Sequence, residues 1–87
     1  MRIIAKPIDM IASFCIEKKP MPRKFRFFED SGEKVEVVVE RILCVEESRI
    51  AGIEAFLYTC QSRIFDEEKI YQIKYIIGKY SWQLYKV

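Results

Sequence analysis

The sequence predicts an all-β protein from the spacing of its apolar residues. Long stretches alternate apolar and polar residues with a period of two, the side-chain period of a β-strand. Short segments that contain proline, glycine or acidic residues separate these stretches and are typical of turns. Because no segment is long enough for a crossover helix, neighbouring strands should be antiparallel. We predict one domain, residues 1–87, with about six strands in a small curled antiparallel sheet or an SH3-like, partly open barrel.

The first predicted strand covers residues 8–17 and has one apolar face. Pro20 and Pro22 then end the strand pattern, since proline lacks a backbone N–H and favours an extended residue before it. A charged, irregular turn is expected at these prolines. The apolar face of the strand comprises Ile8, Met10, Ala12, Phe14 and Ile16.

A second strand is predicted over residues 23–28, followed by a turn at residues 30–32. Phe25 and Phe27 alternate toward the core, which directs Lys24, Arg26 and Phe28 outward.

Residues 34–45 are predicted to form one long strand. Part of the way along it, the apolar side chains move from one face of the strand to the other. Valines at 35, 37 and 39 share a face, but the pattern shifts by one residue after the polar pair Glu40–Arg41. A β-bulge or sharp bend at this pair would keep one face buried on both sides, as in strands that turn corners in small barrels. The polar segment 46–52 is expected to be a connector, with room for one helical turn.

A further strand is predicted over residues 53–65, with Phe56, Tyr58, Cys60 and Ile64 on one face. The last two predicted strands form a hairpin over residues 69–87. The segments on either side of Gly78–Lys79 are rich in β-branched and aromatic residues, which indicates a two-residue turn.

The strand over residues 69–77 carries apolar side chains on both faces, with the tyrosines at 71 and 75 on one of them. Two apolar faces require two covers. Residues 2–4 cover the second face, or that face is a subunit contact, and the sequence leaves both alternatives open. The possible assembly face comprises Ile70, Gln72, Lys74 and Ile76.

Composition favours a partner. The chain is 51% hydrophobic, 14% aromatic and 32% charged, which is surplus apolar surface for 87 residues. No apolar run reaches the roughly 18 residues that cross a bilayer. Asp9 interrupts the N-terminal stretch that resembles a signal peptide, so we expect a soluble, cytoplasmic protein with no membrane association.

Several segments together resemble a known group of proteins. They are Glu40–Arg41–Ile42, Tyr58–Thr59–Cys60–Gln61–Ser62, residues 69–75, and Trp82–Gln83–Leu84–Tyr85–Lys86. Across nearly the full chain, the sequence resembles a family of short, uncharacterised bacterial β proteins. Because that family has no assigned activity, the resemblance implies a small β domain and implies no catalytic or binding residue.

The residues give little support to catalysis. The chain has no histidine, the commonest general base and a frequent zinc ligand. Cys15, Cys44 and Cys60 lack CxxC spacing and are typical of buried thiols in a reducing compartment. The pairs Glu46–Glu47 and Glu67–Glu68 lack calcium-loop spacing, and the isolated glycines form no phosphate loop. We predict that the protein is not an enzyme and that it binds no metal or cofactor. An enzyme that uses Cys60 or these carboxylates is a third alternative, after the binding module and the nucleic-acid-binding protein described below.

Positive charge is concentrated in the first part of the chain. Residues 1–28 carry seven Lys or Arg and two acids, whereas residues 29–87 carry eight and eleven. Pairing of opposite charges across strands is favoured over a field that attracts an acidic partner. Cations near an exposed aromatic ring are also typical of nucleic-acid surfaces, but charged outer-strand residues that protect a sheet edge are the favoured interpretation. The candidate contacts are Lys18, Lys19, Arg23, Lys24, Arg26 and Phe28.

These observations predict a non-enzymatic module that binds a protein partner or a second copy through an aromatic strand face. Nucleic-acid binding through the basic residues is the alternative. Tyr80, Trp82 and Tyr85 are further candidates for a recognition surface, with core packing favoured for Trp82.

Overall fold

One antiparallel sheet contains every strand of the chain. The computed structural model describes residues 1–87, and a three-residue 3-10 turn, Ile77–Lys79, is the only helical segment. Across the sheet the strand order is β3-β2-β1-β7-β6-β5-β4. The prediction of an all-β, curled antiparallel fold is confirmed. The strands are β1 (Ile3–Ser13), β2 (Met21–Phe28), β3 (Lys34–Val38), β4 (Arg41–Ile50), β5 (Ile53–Ile64), β6 (Glu67–Ile76) and β7 (Ser81–Lys86).

The two edge strands of the sheet are consecutive in the chain. Only Val39 and Glu40 separate β3 from β4, and two residues span a short distance. The sheet must therefore curl until its two edges approach each other at this point. The bend predicted within residues 34–45 is confirmed. Because the bend divides that segment into two strands, the sheet has seven strands instead of about six.

Alternate residues of the strands point into the curl and form one hydrophobic core. The inward positions predicted for 23–28, 34–39, 53–65 and 69–77 are confirmed at their buried members. The fully buried core comprises Phe25, Val35, Val37, Tyr58, Cys60, Tyr71, Ile73, Tyr75, Trp82 and Leu84.

Strand β1 begins and ends earlier in the chain than predicted. Ile8, Met10 and Ala12 pack against the core as expected. Phe14 and Ile16, however, lie beyond the end of the strand and are 67% and 91% exposed, so their predicted positions on the apolar face of this strand are wrong. The cause is a turn that leaves the sheet after Ser13.

Residues 2–4 do not form a cover over the second face of β6, which was one of the two alternatives that the sequence left open. Ile3 and Ile4 belong to β1, where Ile3 pairs with Lys86 of β7 in the plane of the sheet. They extend the sheet and cover neither of its faces.

The expected connector over residues 46–52 is instead the second half of β4. Ile50 pairs with Ile53 across the two-residue turn Ala51–Gly52, whose φ angles of 51° and 78° are those of a type I′ hairpin. The change of face itself occurs at Glu40–Arg41, since Val39 before this pair and Ile42 after it both pack against the core. A β-bulge at Leu43 follows, where the pairing with β5 shifts between Ile42 and Cys44.

The turn between β6 and β7 is longer than predicted. Ile76 pairs with Ser81, so the loop contains residues 77–80 and not only Gly78–Lys79. Positive φ falls on Tyr80, at 51°, and not on Gly78, which rules out the primed two-residue turns. A 3.3 Å hydrogen bond from the Tyr80 N–H to the Ile77 carbonyl closes the 3-10 turn.

Candidate functional site

The basic residues on β2 are held by neighbouring strands. The Arg26 Nε lies 3.0 Å from the Asp9 Oδ2 on β1, and the Lys24 Nζ lies 3.1 Å from the Glu36 Oε2 on β3. Hydrogen bonds from Lys24 and then Lys34 lower the pKa of the Glu36 carboxyl. The cross-strand pairing of opposite charges is therefore present on this side of the sheet.

Of the remaining candidates, Lys18 and Lys19 lie in the loop between β1 and β2, whereas Arg23 and Phe28 lie on β2 itself. Lys19 contacts the other side of the barrel, where its Nζ lies 3.4 Å from the Glu47 Oε1 and 5.5 Å from the centre of the Phe56 ring. Lys18 makes no ion pair, and the Arg23 Nε donates a 3.0 Å hydrogen bond to the Ser13 Oγ. Phe28 is 54% exposed, as its outward position predicts. The six candidates do not form one continuous surface.

The possible assembly face lies on the outside of the sheet, around β6. Ile70 is 52% exposed, whereas Gln72, Lys74 and Ile76 are half-buried among their neighbours. Leu57 on β5 pairs with Lys74 and adds an apolar side chain to this face. Since every strand belongs to the one sheet, no second layer of the chain covers these residues.

One polar atom on this outer face has no partner. The Gln72 Nε2 donates a 3.3 Å hydrogen bond to the Thr59 Oγ1, while its Oε1 is buried and accepts no hydrogen bond from the chain. An unsatisfied buried acceptor of this kind costs about 1–3 kcal/mol. Beside it, the Lys74 Nζ lies 4.7 Å from the centre of the Tyr85 ring, a cation–π distance.

The three candidate aromatic residues have different environments. Trp82 is in the core, with its ring centre 4.5 Å from that of Tyr75, so the preference for core packing is confirmed. Tyr80 is 82% exposed in the turn, and Tyr85 is half-buried on the outer face. Only Tyr85 is therefore adjacent to the assembly face.

The thiols and paired carboxylates lie apart from one another. Cys60 is buried, and burial raises the pKa of its thiol to about 12. Cys15 and Cys44 are exposed, because one follows the end of β1 and the other lies on an edge strand, so their predicted burial is wrong. Glu67 pairs with Lys69 at 2.8 Å, and the hydrogen bond from Lys69 lowers the pKa of Glu67. No three Cys, Asp or Glu side chains converge on a common point.

An apolar cavity at one end of the barrel was not anticipated from the sequence. Its volume is about 390 Å³, and β2, β3, β5, β6 and β7 all contribute to its walls. The signal in the sequence was Phe65, an apolar residue placed directly before the acidic run Asp66–Glu68.

Comparison of the chain with protein-family models, curated proteins and solved structures gives no significant match. The resemblance to short bacterial proteins therefore stays a prediction. No helix in the chain has the length and apolar character to cross a membrane.

Proposed function

We propose that the protein is a non-catalytic module that binds a second copy of itself through the outer face of β6. The observation that carries this proposal is the lack of any cover over that face. The sequence left two alternatives, a roof formed by residues 2–4 or a subunit contact, and residues 2–4 do not form the roof. Loss of that alternative supports the other one, a subunit contact.

The chemistry of the outer face suits a two-fold contact. Ile70 and Ile76, together with Leu57 on the neighbouring strand, supply apolar surface on this face. In a two-fold contact the same patch meets itself, so these apolar side chains would pack against their counterparts on the other copy.

Charge on the outer face is also complementary to itself. Glu46 on β4 and Lys74 on β6 both flank Leu57 in the strand register, one on each side. A two-fold rotation about an axis near Leu57 brings the lysine of one copy toward the glutamate of the other. Two sheets packed in this way lie about 10 Å apart, which is within reach of both side chains.

The contacts of the basic residues give weaker support to nucleic-acid binding. Lys19, Lys24 and Arg26 each lie beside a carboxylate, which reduces the charge available to phosphates.

Light scattering after size exclusion tests the proposal, with protein at several concentrations in low and high salt and with nucleic-acid absorbance checked. We expect a dimer whose dissociation depends on concentration and only weakly on salt, because most of the contact is apolar. A monomer at every concentration would overturn the proposal.

A further inference from the structure

The apolar cavity lies at the end of the barrel formed by the β5–β6 turn and the end of β2. Ten of its eleven lining residues are hydrophobic. Phe25, Val37 and Leu84 form its buried walls, while Phe65 and Ile70 stand at its exposed rim. The cavity opens to solvent at this rim, so a ligand can enter without unfolding of the core.

The interior of the cavity offers no free polar group. Tyr71 lines it, but its hydroxyl lies 2.6 Å from the Ser62 Oγ and is already hydrogen-bonded. Apolar cavities of about 150 Å³ already bind a ring the size of benzene. A volume of about 390 Å³ therefore accommodates a longer apolar group, such as an alkyl chain of medium length.

Phe65 holds a costly backbone conformation at the rim. Its φ is 50° and that of Asp66 is 63°, so the two form a tight turn that favours asparagine and glycine. A bulky residue with positive φ costs about 1–2 kcal/mol, and such strain is concentrated at functional sites. The ring is also 80% exposed, so burial within the chain does not offset this strain.

A cation without an acidic partner lies against the wall of the cavity. Lys6 occupies an inner-face position of β1 and is half-buried, and its Nζ lies 5.1 Å from the centre of the Phe27 ring that lines the cavity. No carboxylate pairs with Lys6, whereas Lys69 at the rim is paired with Glu67. The free positive charge beside the apolar cavity complements an anion.

We infer that the cavity binds an amphiphile with one alkyl chain and one anionic head. The alkyl chain fills the space between β2, β3 and β6, the Phe65 ring covers it at the rim, and the Lys6 ammonium pairs with the head. This inference is independent of the proposed dimer except at Ile70, which belongs to both surfaces and is left unchanged in the test.

Isothermal titration calorimetry with decanoate, below its micelle concentration, tests the inference. Decanol has the same chain with a neutral head, and butyrate has the same head with a short chain. We expect saturable binding of decanoate, weaker binding of decanol and no measurable binding of butyrate. Methyl resonances of Val35, Ile64 and Leu84 should shift, whereas those of Ile50 should not. Absence of saturable heat, or shifts centred away from these methyl groups, would overturn the inference.

Two substitutions separate the ligand site from the fold. Phe65→Asn suits the positive φ, so we expect an unchanged or higher melting temperature together with about tenfold weaker decanoate binding. Lys6→Met keeps the stem over Phe27 and should weaken decanoate binding about fivefold without affecting decanol. Lys79→Met, at the opposite end of β6, is the control and should change neither affinity.

Three results would contradict the inference. Wild-type affinity of Phe65→Asn for decanoate would show that the Phe65 ring at the rim is not part of the site. Equal loss of decanoate binding and decanol binding in Lys6→Met would show that Lys6 does not recognise the anionic head. Loss of the dimer in Phe65→Asn would mean that a second copy occupies the cavity instead of an amphiphile.

Discussion

The Ser62 hydroxyl donates a 2.7 Å hydrogen bond to the Val38 carbonyl and so joins β5 to the edge strand β3. Because a hydroxyl has one proton, the 2.6 Å contact with Tyr71 must use the tyrosine as donor. Burial raises the pKa of Tyr71 to about 12, which keeps it protonated. The Glu40 N–H also donates to Ser62, at 3.4 Å. One serine therefore fixes the corner at which the two edges of the sheet meet.

Ser62→Ala should destabilise the fold well beyond the usual effect of a lost hydroxyl. The substitution leaves the Tyr71 hydroxyl and the Val38 carbonyl without this partner in a buried setting. We expect a loss of about 2 kcal/mol of unfolding free energy, and a melting temperature lower by about 10 °C. Tyr71→Phe, which leaves the bond to Val38 intact, should cost about 1 kcal/mol. Equal costs for the two variants in thermal unfolding would contradict this role of Ser62.

Ala51→Asn should stabilise the protein. Ala51 has a φ of 51° in the two-residue turn before Gly52, and asparagine followed by glycine is the preferred sequence for that turn. We expect a gain of about 0.5–1 kcal/mol in urea unfolding, with an unchanged m-value. Ala51→Val, a β-branched residue at the same positive φ, should destabilise the protein. A gain from valine would show that the turn has another geometry.

The three thiols should differ sharply in reactivity toward a disulfide reagent. Cys15 and Cys44 are exposed and should react at once at pH 8, because the reagent reaches both. Cys60 should react only on unfolding, since it is buried and its pKa is raised to about 12, so little thiolate forms. Cys60→Ser provides the control for the slow phase. A fast third thiol in the folded protein would support the alternative of an enzyme that uses Cys60.

Nucleic-acid binding should be weak. In a gel shift with single-stranded DNA or RNA at physiological salt, we expect no retarded band, because carboxylates hold Lys24 and Arg26. Arg26→Ala should then behave like the control Lys79→Ala. Tight binding whose affinity falls steeply with salt, and which Arg26→Ala weakens, would establish the alternative instead.

The sequence predicts the inner face of this fold well, because burial imposes a strict period of two. Phe25, Tyr58 and Tyr71 are buried, and a shift of one residue in strand register would move each of them to the outer face. Strand β4 does not show this period of two in its sequence. It is an edge strand with Glu46, Glu47 and Arg49 on it, and polar residues at an edge look like a loop in the sequence.

Long-range contacts account for most of what the sequence missed. The pairing of β1 with β7 joins the two ends of the chain, and no local pattern around Ile3 indicates that it lies in the sheet. The cavity likewise draws its walls from five strands, so no single segment indicates it. Alternation alone identified the outer residues of β6, because β6 is an interior strand whose register with β5 is regular. They are Ile70, Gln72, Lys74 and Ile76.

Sedimentation equilibrium of two glutamate variants tests the dimer contact on the outer face of β6. Ile76→Glu places a charge in the proposed contact, whereas Ile50→Glu places the same charge on an exposed residue at the tip of β4. We expect Ile76→Glu to weaken dimerisation at least about tenfold, because the contact would have to bury a carboxylate, while Ile50→Glu leaves it unchanged. Folded Ile76→Glu that dimerises as tightly as the wild-type chain would contradict the central claim.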